Sequence, residues 1–231
     1  MRASMGEIID LTQTFEDGMP GFRMKAPDGT VRAFTASVRP FLTHAESAPN
    51  YGGKASFEIT EVRFQTSIGT YLDAPRHRYP DATDIAGLPL SSLILDGIVI
   101  DGRGATPDRP LSVADLPPAP DLKNRAVLIQ FGWDRHWGKE TYFSYPYVDR
   151  AALAYLKDAG TRLFGVDALN ADNPADLERP AHTWFLGAGI HIVENLRGLE
   201  ALRGRRFRFY AIPLKVRDAA AFPVRAFAEV S

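Results

Sequence analysis

At 231 residues the chain is long enough for one large α/β domain or two small ones, and 45% apolar with 24% charged residues is an ordinary globular make-up. A net charge of −1 supplies no field to draw it to nucleic acid or an anionic membrane. The absence of cysteine excludes disulfides, thiolate nucleophiles and Cys-ligated zinc together, so any metal must be held by His, Asp or Glu.

The opening "MRASMGEIIDLTQTF" lacks the continuous apolar core of a signal peptide. No run approaches the ~20 apolar residues of a membrane helix, so a cytoplasmic protein is expected. Two alternating runs, "TVRAFTASV" (30–38) and "SFEITEVRF" (56–64), read as strands. Next comes "QTSIGTYLDAPRHRYPD" (65–81), a Gly- and Pro-punctuated segment with Asp73, Pro75 and His77. It reads as a loop after a strand, where a rigid sheet can hold functional side chains. Pro75 pre-sets the backbone between Asp73 and His77, lowering the entropy lost in placing them together.

Beyond it, "LILDGIVIDG" (93–102) and "RAVLIQFGW" (125–133) read as strands, separated by the loop "DLPPAP" (115–120). In "YVDRAALAYLKDAG" (147–160), Val148, Ala151, Ala152, Tyr155 and Leu156 recur at helical spacing. Asp149 sits at its start and Gly160 at the C-terminal cap position. The buried run "TRLFGVDA" (161–168) then completes a strand–helix–strand unit. A short helical segment "AHTWFL", the strands "GIHIVEN" (189–195) and "RFRFYAIPLKV" (206–216), and a closing stretch follow. The Gly-rich "GRGA" and "LGAGI" read as turns, and the basic "RGRRFRF" (203–209) as the polar face of a strand. Strands outnumber helices, which predicts one α/β domain over residues 1–231 with a mixed central sheet and flanking helices.

No Gly-x-Ser-x-Gly elbow, P-loop or His-Glu-x-x-His is present. Each of the five histidines can therefore be weighed. His44 suits a surface or pocket, and His136, between Trp133 and Trp137, suits packing. His191 points away from Ile190 and Ile192 and reads as structural or exposed. Glu194 falls on the same strand face as those isoleucines, where a carboxyl group is costly unless paired or metal-bound. Asp73, His182 and Glu194 would make an O,N,O set if the fold unites them.

Several long stretches resemble, in order, the cyclase family of metal-dependent hydrolases, to which bacterial kynurenine formamidase and isatin hydrolase belong. "IDLTQTFEDGMPGF" is similar to its opening strand and turn, and "GTYLDAPRH" to its signature His-x-Gly-Thr-His-x-Asp-x-Pro-x-His. "VLIQFGWDRHWGKETYF" and "GVDALNAD" resemble its central strands. "PAHTWFLGAGIHIVENL" carries its late His and Glu at twelve-residue spacing, and "AIPLKV…FPVRA" its closing strand. The resemblance implies that Asp73, His182 and Glu194 are metal ligands and that His77 transfers the proton. Two signature histidines are replaced, by Ser67 and Tyr71. Four zinc ligands are together worth ~10–16 kcal/mol, so losing two imidazoles forfeits ~6–8 kcal/mol and empties the family's usual first metal position.

The remaining donors suit one divalent ion (Mn, Zn or Fe) or none. The reading that follows is a hydrolase of a small aryl or cyclic amide or lactone, acting on C–N bonds other than peptide bonds. Water attacks with help from His77 and Tyr71 donates to the oxyanion or substrate. Ser67, Tyr71, Trp133 and Trp184 are the expected substrate contacts. Trp137, Tyr142 and Phe143 are further candidates for the pocket wall. Two alternatives stand beside it: a metal-independent cyclase, isomerase or dehydratase, and a non-catalytic small-molecule-binding homologue. The resemblance also implies a homodimer or homotetramer, with a small-molecule substrate and no nucleic-acid or membrane partner.

Overall fold

The computed structural model describes residues 6–231. The apolar runs become strands β1 (Glu7–Asp10), β2 (Arg23–Lys25), β3 (Val31–Ala33), β4 (Ala36–Leu42), β5 (Ile59–Phe64) and β6 (Tyr71–Asp73). They continue as β7 (Ile94–Asp101), β8 (Ala126–Gln130), β9 (Leu163–Val166), β10 (His191–Glu194), β11 (Phe207–Pro213) and β12 (Ala221–Val230). Among the described residues there are two α-helices, α1 (His44–Ser47) and α2 (Arg150–Asp158). In α2 the Asp149 carboxyl caps the first turn by accepting from Ala152 N–H at 2.7 Å, and Gly160 takes φ +82° just past the end, as the capping pattern predicts. Among the described residues no helix is long and apolar enough to cross a membrane.

Eight strands form one mixed sheet in the order β1-β12-β11-β7-β8-β9-β10-β6. β7 to β10 run parallel to one another and the other pairings are antiparallel. β6 also pairs with β12, so the expected sheet closes on itself into a barrel of seven strands, with β1 paired to the outer part of β12. The pleat then decides what each residue meets. Ala126 and Leu128 of β8 join Leu72, Leu163, Val193, Phe209 and Ala226 in a core drawn from every strand of the ring, its interior. Val127 and Ile129 face the other way, with Phe164, Val166 and Ile192, under Ala152, Leu153 and Leu156 of α2. Every residue of β8 is buried, as two covered faces require.

Several expectations are refined. The run at 30–38 is not one strand: Phe34 N–H donates to Phe22 O and Thr35 N–H to the Gln65 side chain, which breaks it into β3 and β4 in separate two-stranded ribbons. Asp73 lies on a strand, β6, too short to show a period of two in the sequence. His191 is buried, with Nε2 3.0 Å from Ser92 Oγ, so the structural half of its reading holds and the exposed half does not. Burial, with Arg162 adding to it, lowers its pKa to about 4 and keeps the ring neutral. Arg208 points outward between buried Phe207 and Phe209, as expected of the basic run.

Asn195, just past β10, ties the site's two halves together from a left-handed backbone conformation (φ 59°). Its Nδ2 donates to Gly69 O at 2.7 Å and its Oδ1 accepts from Tyr142 OH at 2.7 Å. Its carbonyl accepts from Thr70 Oγ1 at 2.7 Å, fixing the approach to β6. Asn195→Ala leaves buried partners unsatisfied and puts a residue that tolerates the left-handed region less well than asparagine at this φ, with an expected loss of ~2–5 kcal/mol. At ~2–4 °C per kcal/mol for a chain of this size, thermal denaturation should show Tm falling by ~5–15 °C. Asn195→Gly, free of the backbone strain, should lose nearly as much. A change below ~2 °C in both variants would remove Asn195 from this role.

Candidate active site

The register of β6 against β10 builds the site. Asp73 lies opposite Ile192 and Tyr71 opposite Glu194, so Tyr71, Asp73 and Glu194 project from the same outer face of the barrel. A turn of π-helix, Ala181–Phe185, brings His182 over that face, and a 3-10 turn, Pro75–His77, brings His77 to its edge. π-turns are rare and recur at functional sites. His182 Nε2 stands 3.6 Å from Asp73 Oδ2 and 3.5 Å from Glu194 Oε1, while His77 Nδ1 stands 3.3 Å from Asp73 Oδ1. The early loop and the late segment therefore converge, as the resemblance implies.

Asp73 is fully buried, yet neither carboxyl oxygen has a hydrogen bond among the described residues. A buried carboxyl left in that state costs several kcal/mol unless a charge faces it (~3–5 kcal/mol for an unpaired buried ion). His182 supplies one. Asp172 Oδ2 accepts from its Nδ1 at 2.6 Å and from its backbone N–H at 3.2 Å, and Asp172 Oδ1 accepts from Ala181 N–H at 2.6 Å. Burial alone would lower the His182 pKa, but Asp172, Asp73 and Glu194 overcome it and raise it to about 10. Arg179, held by Asn170 Oδ1 at 2.6 Å, lies 3.6 Å from Asp172 Oδ2.

Glu194 departs from expectation. Its Oε2 accepts a short hydrogen bond from the Tyr71 hydroxyl and a longer one (3.3 Å) from Asn170 Nδ2, and its Oε1 accepts from Ala171 N–H at 2.9 Å. Burial pushes its pKa up to about 7. The residues whose donor atoms all lie within 4.8 Å of one another are Asp73, His77 and His182, with Glu194 outside that trio. Tyr71 departs too. Burial and the neighbouring Glu194 and Asp73 hold its pKa well above the usual phenol range, so it stays protonated and its hydroxyl donates a hydrogen bond to Glu194.

Ser67 is half-buried in the loop before β6, without a side-chain hydrogen bond among the described residues. Trp133 packs at a tilt against His136, ring centroids 4.5 Å apart, and donates its indole N–H to Tyr142 O at 3.2 Å, so packing occupies it. Trp184 lies in the π-turn with the Arg150 guanidinium 5.8 Å above its ring. Among the described residues no hydrogen bond joins Ser67, Trp133 or Trp184 to the Asp73 cluster. His44 is exposed and pairs with Ser56.

A cation fits this arrangement. Asp73 offers two buried unpaired oxygens, and Asp172 engages His182 at Nδ1 so that Nε2 is left facing them. Two imidazoles and a carboxyl are a donor set suited to first-row divalent metals.

The "Putative cyclase" family model matches residues 9–173, which include Tyr71, Asp73, His77 and Asp172. The chain belongs to the putative cyclase family. Among its relatives, a kynurenine formamidase of Erythrobacter litoralis is 29% identical over 223 residues, 96% of this chain and 94% of that protein. A kynurenine formamidase of Salinibacter ruber is 32% identical over 176 residues, covering 75% and 80% of the two. Isatin hydrolase A of Ralstonia solanacearum superposes with a TM-score of 0.83 over 97% of this chain and 92% of that one. At 23% identity that likeness speaks for the cyclase fold.

Sequence reasoning missed Asp172 and Asn170. Both lie in the "LNAD" stretch after β9, where polar residues stay buried. Buried polar side chains between apolar neighbours were the available signal, since each must find a partner. The His182 contribution has a clear sign. Its folded pKa is raised from 6.5 to about 10, so its stabilisation is complete below pH ~6.5 and is lost as pH rises toward 10. Chelator-treated protein should show Tm falling across that window, and Asp172→Asn should shift the fall to lower pH. The same variant should weaken Zn²⁺ or Mn²⁺ binding ~10- to 100-fold by calorimetry. Unchanged pH profiles and affinity would refute the assignment of Asp172.

Proposed function

We propose that this chain is an enzyme hydrolysing small aryl or cyclic amides, formamide-like in class, or the corresponding lactones. The observation that carries the reading is the fully buried Asp73 carboxyl, without hydrogen bonds, set between His77 and His182. Its support from relatives is the match to proteins named kynurenine formamidase along most of the chain. Asp73 and His182, with His77 in reach, would hold one divalent ion, which when bound polarises a carbonyl and lowers the pKa of water toward 7.

The chain's own groups then divide the work. His77 is the exposed member, its side chain 34% accessible, so it is the histidine a substrate can reach. Asp73 facing Nδ1 favours the proton there and leaves Nε2 to accept one from water and return it to the leaving nitrogen or oxygen. His182, clamped by Asp172 at Nδ1, orients Asp73 and keeps its Nε2 turned toward it. Tyr71 and Glu194 lock one another, which holds Glu194 Oε1 3.5 Å from His182 Nε2. Ser67, Trp133 and Trp184 are proposed as its outer substrate contacts. The same reading carries a cytoplasmic homodimer or homotetramer with a small-molecule substrate.

One observation favours a second reading. His182 as an imidazolium among Asp73, Asp172 and Glu194 balances charge from the chain's own groups, as a metal-independent acid/base pocket would need. Turnover that persists at full rate after elemental analysis shows the protein stripped of metal would select it. With an aryl formamide such as formanilide as substrate, His77→Ala should lower kcat/KM by ~10²- to 10⁴-fold. Its Tm should stay within ~2 °C, as for other partly exposed side chains. Wild-type turnover by that variant would take His77 out of the chemistry.

A further inference from the structure

His77 and His182 belong to segments about a hundred residues apart, and only one of them is anchored from behind. His182 is pinned by Asp172 through its ring and its backbone. His77 sits on a short exposed turn whose own bonds, His77 N–H to Ala74 O and Arg78 N–H to Pro75 O, fix the turn's shape but not its place against the π-turn. Yet the two rings stand 5.6 Å apart with both facing Asp73. Something must hold the turn at that distance.

The residues that follow each histidine are bonded to one another. Arg78 Nε donates to Thr183 Oγ1 at 3.0 Å, and Arg78 Nη2 donates to Glu178 O at 3.2 Å. Tyr79 OH donates to Thr183 O at 2.7 Å. Thr183 is stiffened in turn: its Oγ1 donates to Glu178 O at 2.7 Å and its N–H to Arg179 O at 2.8 Å. The Tyr79 ring lies on bare backbone at Gly187, where an added Cβ would come within 2.8 Å of its hydroxyl. Arg78 and Tyr79 thus clip the His77 turn onto the segment that carries His182.

We propose that Arg78 and Tyr79 are positioning residues for the hydrolysis, acting through His77 by fixing its ring against Asp73 and His182. Arg78 does not bind the substrate. Its guanidinium is committed to Thr183 and Glu178, and its planar fork is what lets one side chain reach both. Displacing a catalytic group by ~1 Å can cost ~10²-fold in rate, so a clip of three hydrogen bonds suffices to matter.

This proposal rests on the hydrolase reading, and the experiment separates the two. With formanilide as substrate, Arg78→Ala/Tyr79→Phe should lower kcat ~10- to 100-fold with KM within about threefold. Arg78→Lys, which keeps the charge but not the fork, should recover only part of the loss, and Gly187→Ala should reproduce it from the other side. In a His77→Ala background the double substitution should change kcat by less than about twofold, the signature of action through that ring. A cross-relaxation contact between the His77 and His182 ring protons, measured by NMR without substrate, should be present in the wild type and absent in the double variant. A rise in KM with kcat unchanged, additive losses in the His77→Ala background, or a persisting ring contact would each overturn the proposal. Absence of turnover on any amide or lactone would sink the hydrolase reading while leaving the ring contact to decide the clip.

Discussion

Pairing of a three-residue strand on both of its edges governs this structure. β6 is bonded to β10 on one side and β12 on the other, and that double pairing both closes the barrel and orients Tyr71 and Asp73. Because side chains alternate along a strand, a slip of one residue would send Leu72 outward and bury Asp73 in the apolar barrel interior. The cost of placing a carboxyl there makes the observed register the only tolerable one. Thr70 and Asn195 reinforce it from the loop side, where Gly69 at φ 66° lets the chain turn into the strand. Closure of the fold and assembly of the site are one event.

The electrostatics follow from that closure. Asp73, Asp172 and Glu194 are wholly buried within reach of a single nearly buried imidazole, His182. Asp172 is compensated by two backbone N–H groups and Arg179, and Glu194 by Tyr71, Asn170 and Ala171. Asp73 alone is left to His182, His77 and whatever positive charge or polar substrate enters between them. Such an imbalance is ordinarily selected against in a core, and it marks the place where the fold trades stability for chemistry. The cyclase family relationship and this imbalance point to the same few residues.

Tyr71 resolves the departure from the family signature. Two of the signature's histidines are replaced, and a vacant, water-filled hole might be imagined in consequence. Instead the Tyr71 ring is buried and its hydroxyl is bonded to Glu194, the carboxyl read from sequence as a metal ligand. Ser67 leaves no such trace, because its side chain makes no hydrogen bond among the described residues.

Much of this was legible in the chain itself. Hydrophobic period, an Asp cap and a trailing Gly determined α2 and the strand–helix–strand unit, since those signals are local and strong. The signature spacing and the odd carboxyl on the "GIHIVEN" face singled out Asp73, His77, His182 and Glu194 before any contact was known. Closure of the sheet, the pairing of Tyr71 with Glu194, the Asp172 clamp and the Arg78–Thr183 clip were decided only in three dimensions. Each joins residues whose nearness depends on which strands pair and in what register. That is a property of the whole packed chain, because a three-residue strand and a single buried aspartate carry too little local preference to specify it.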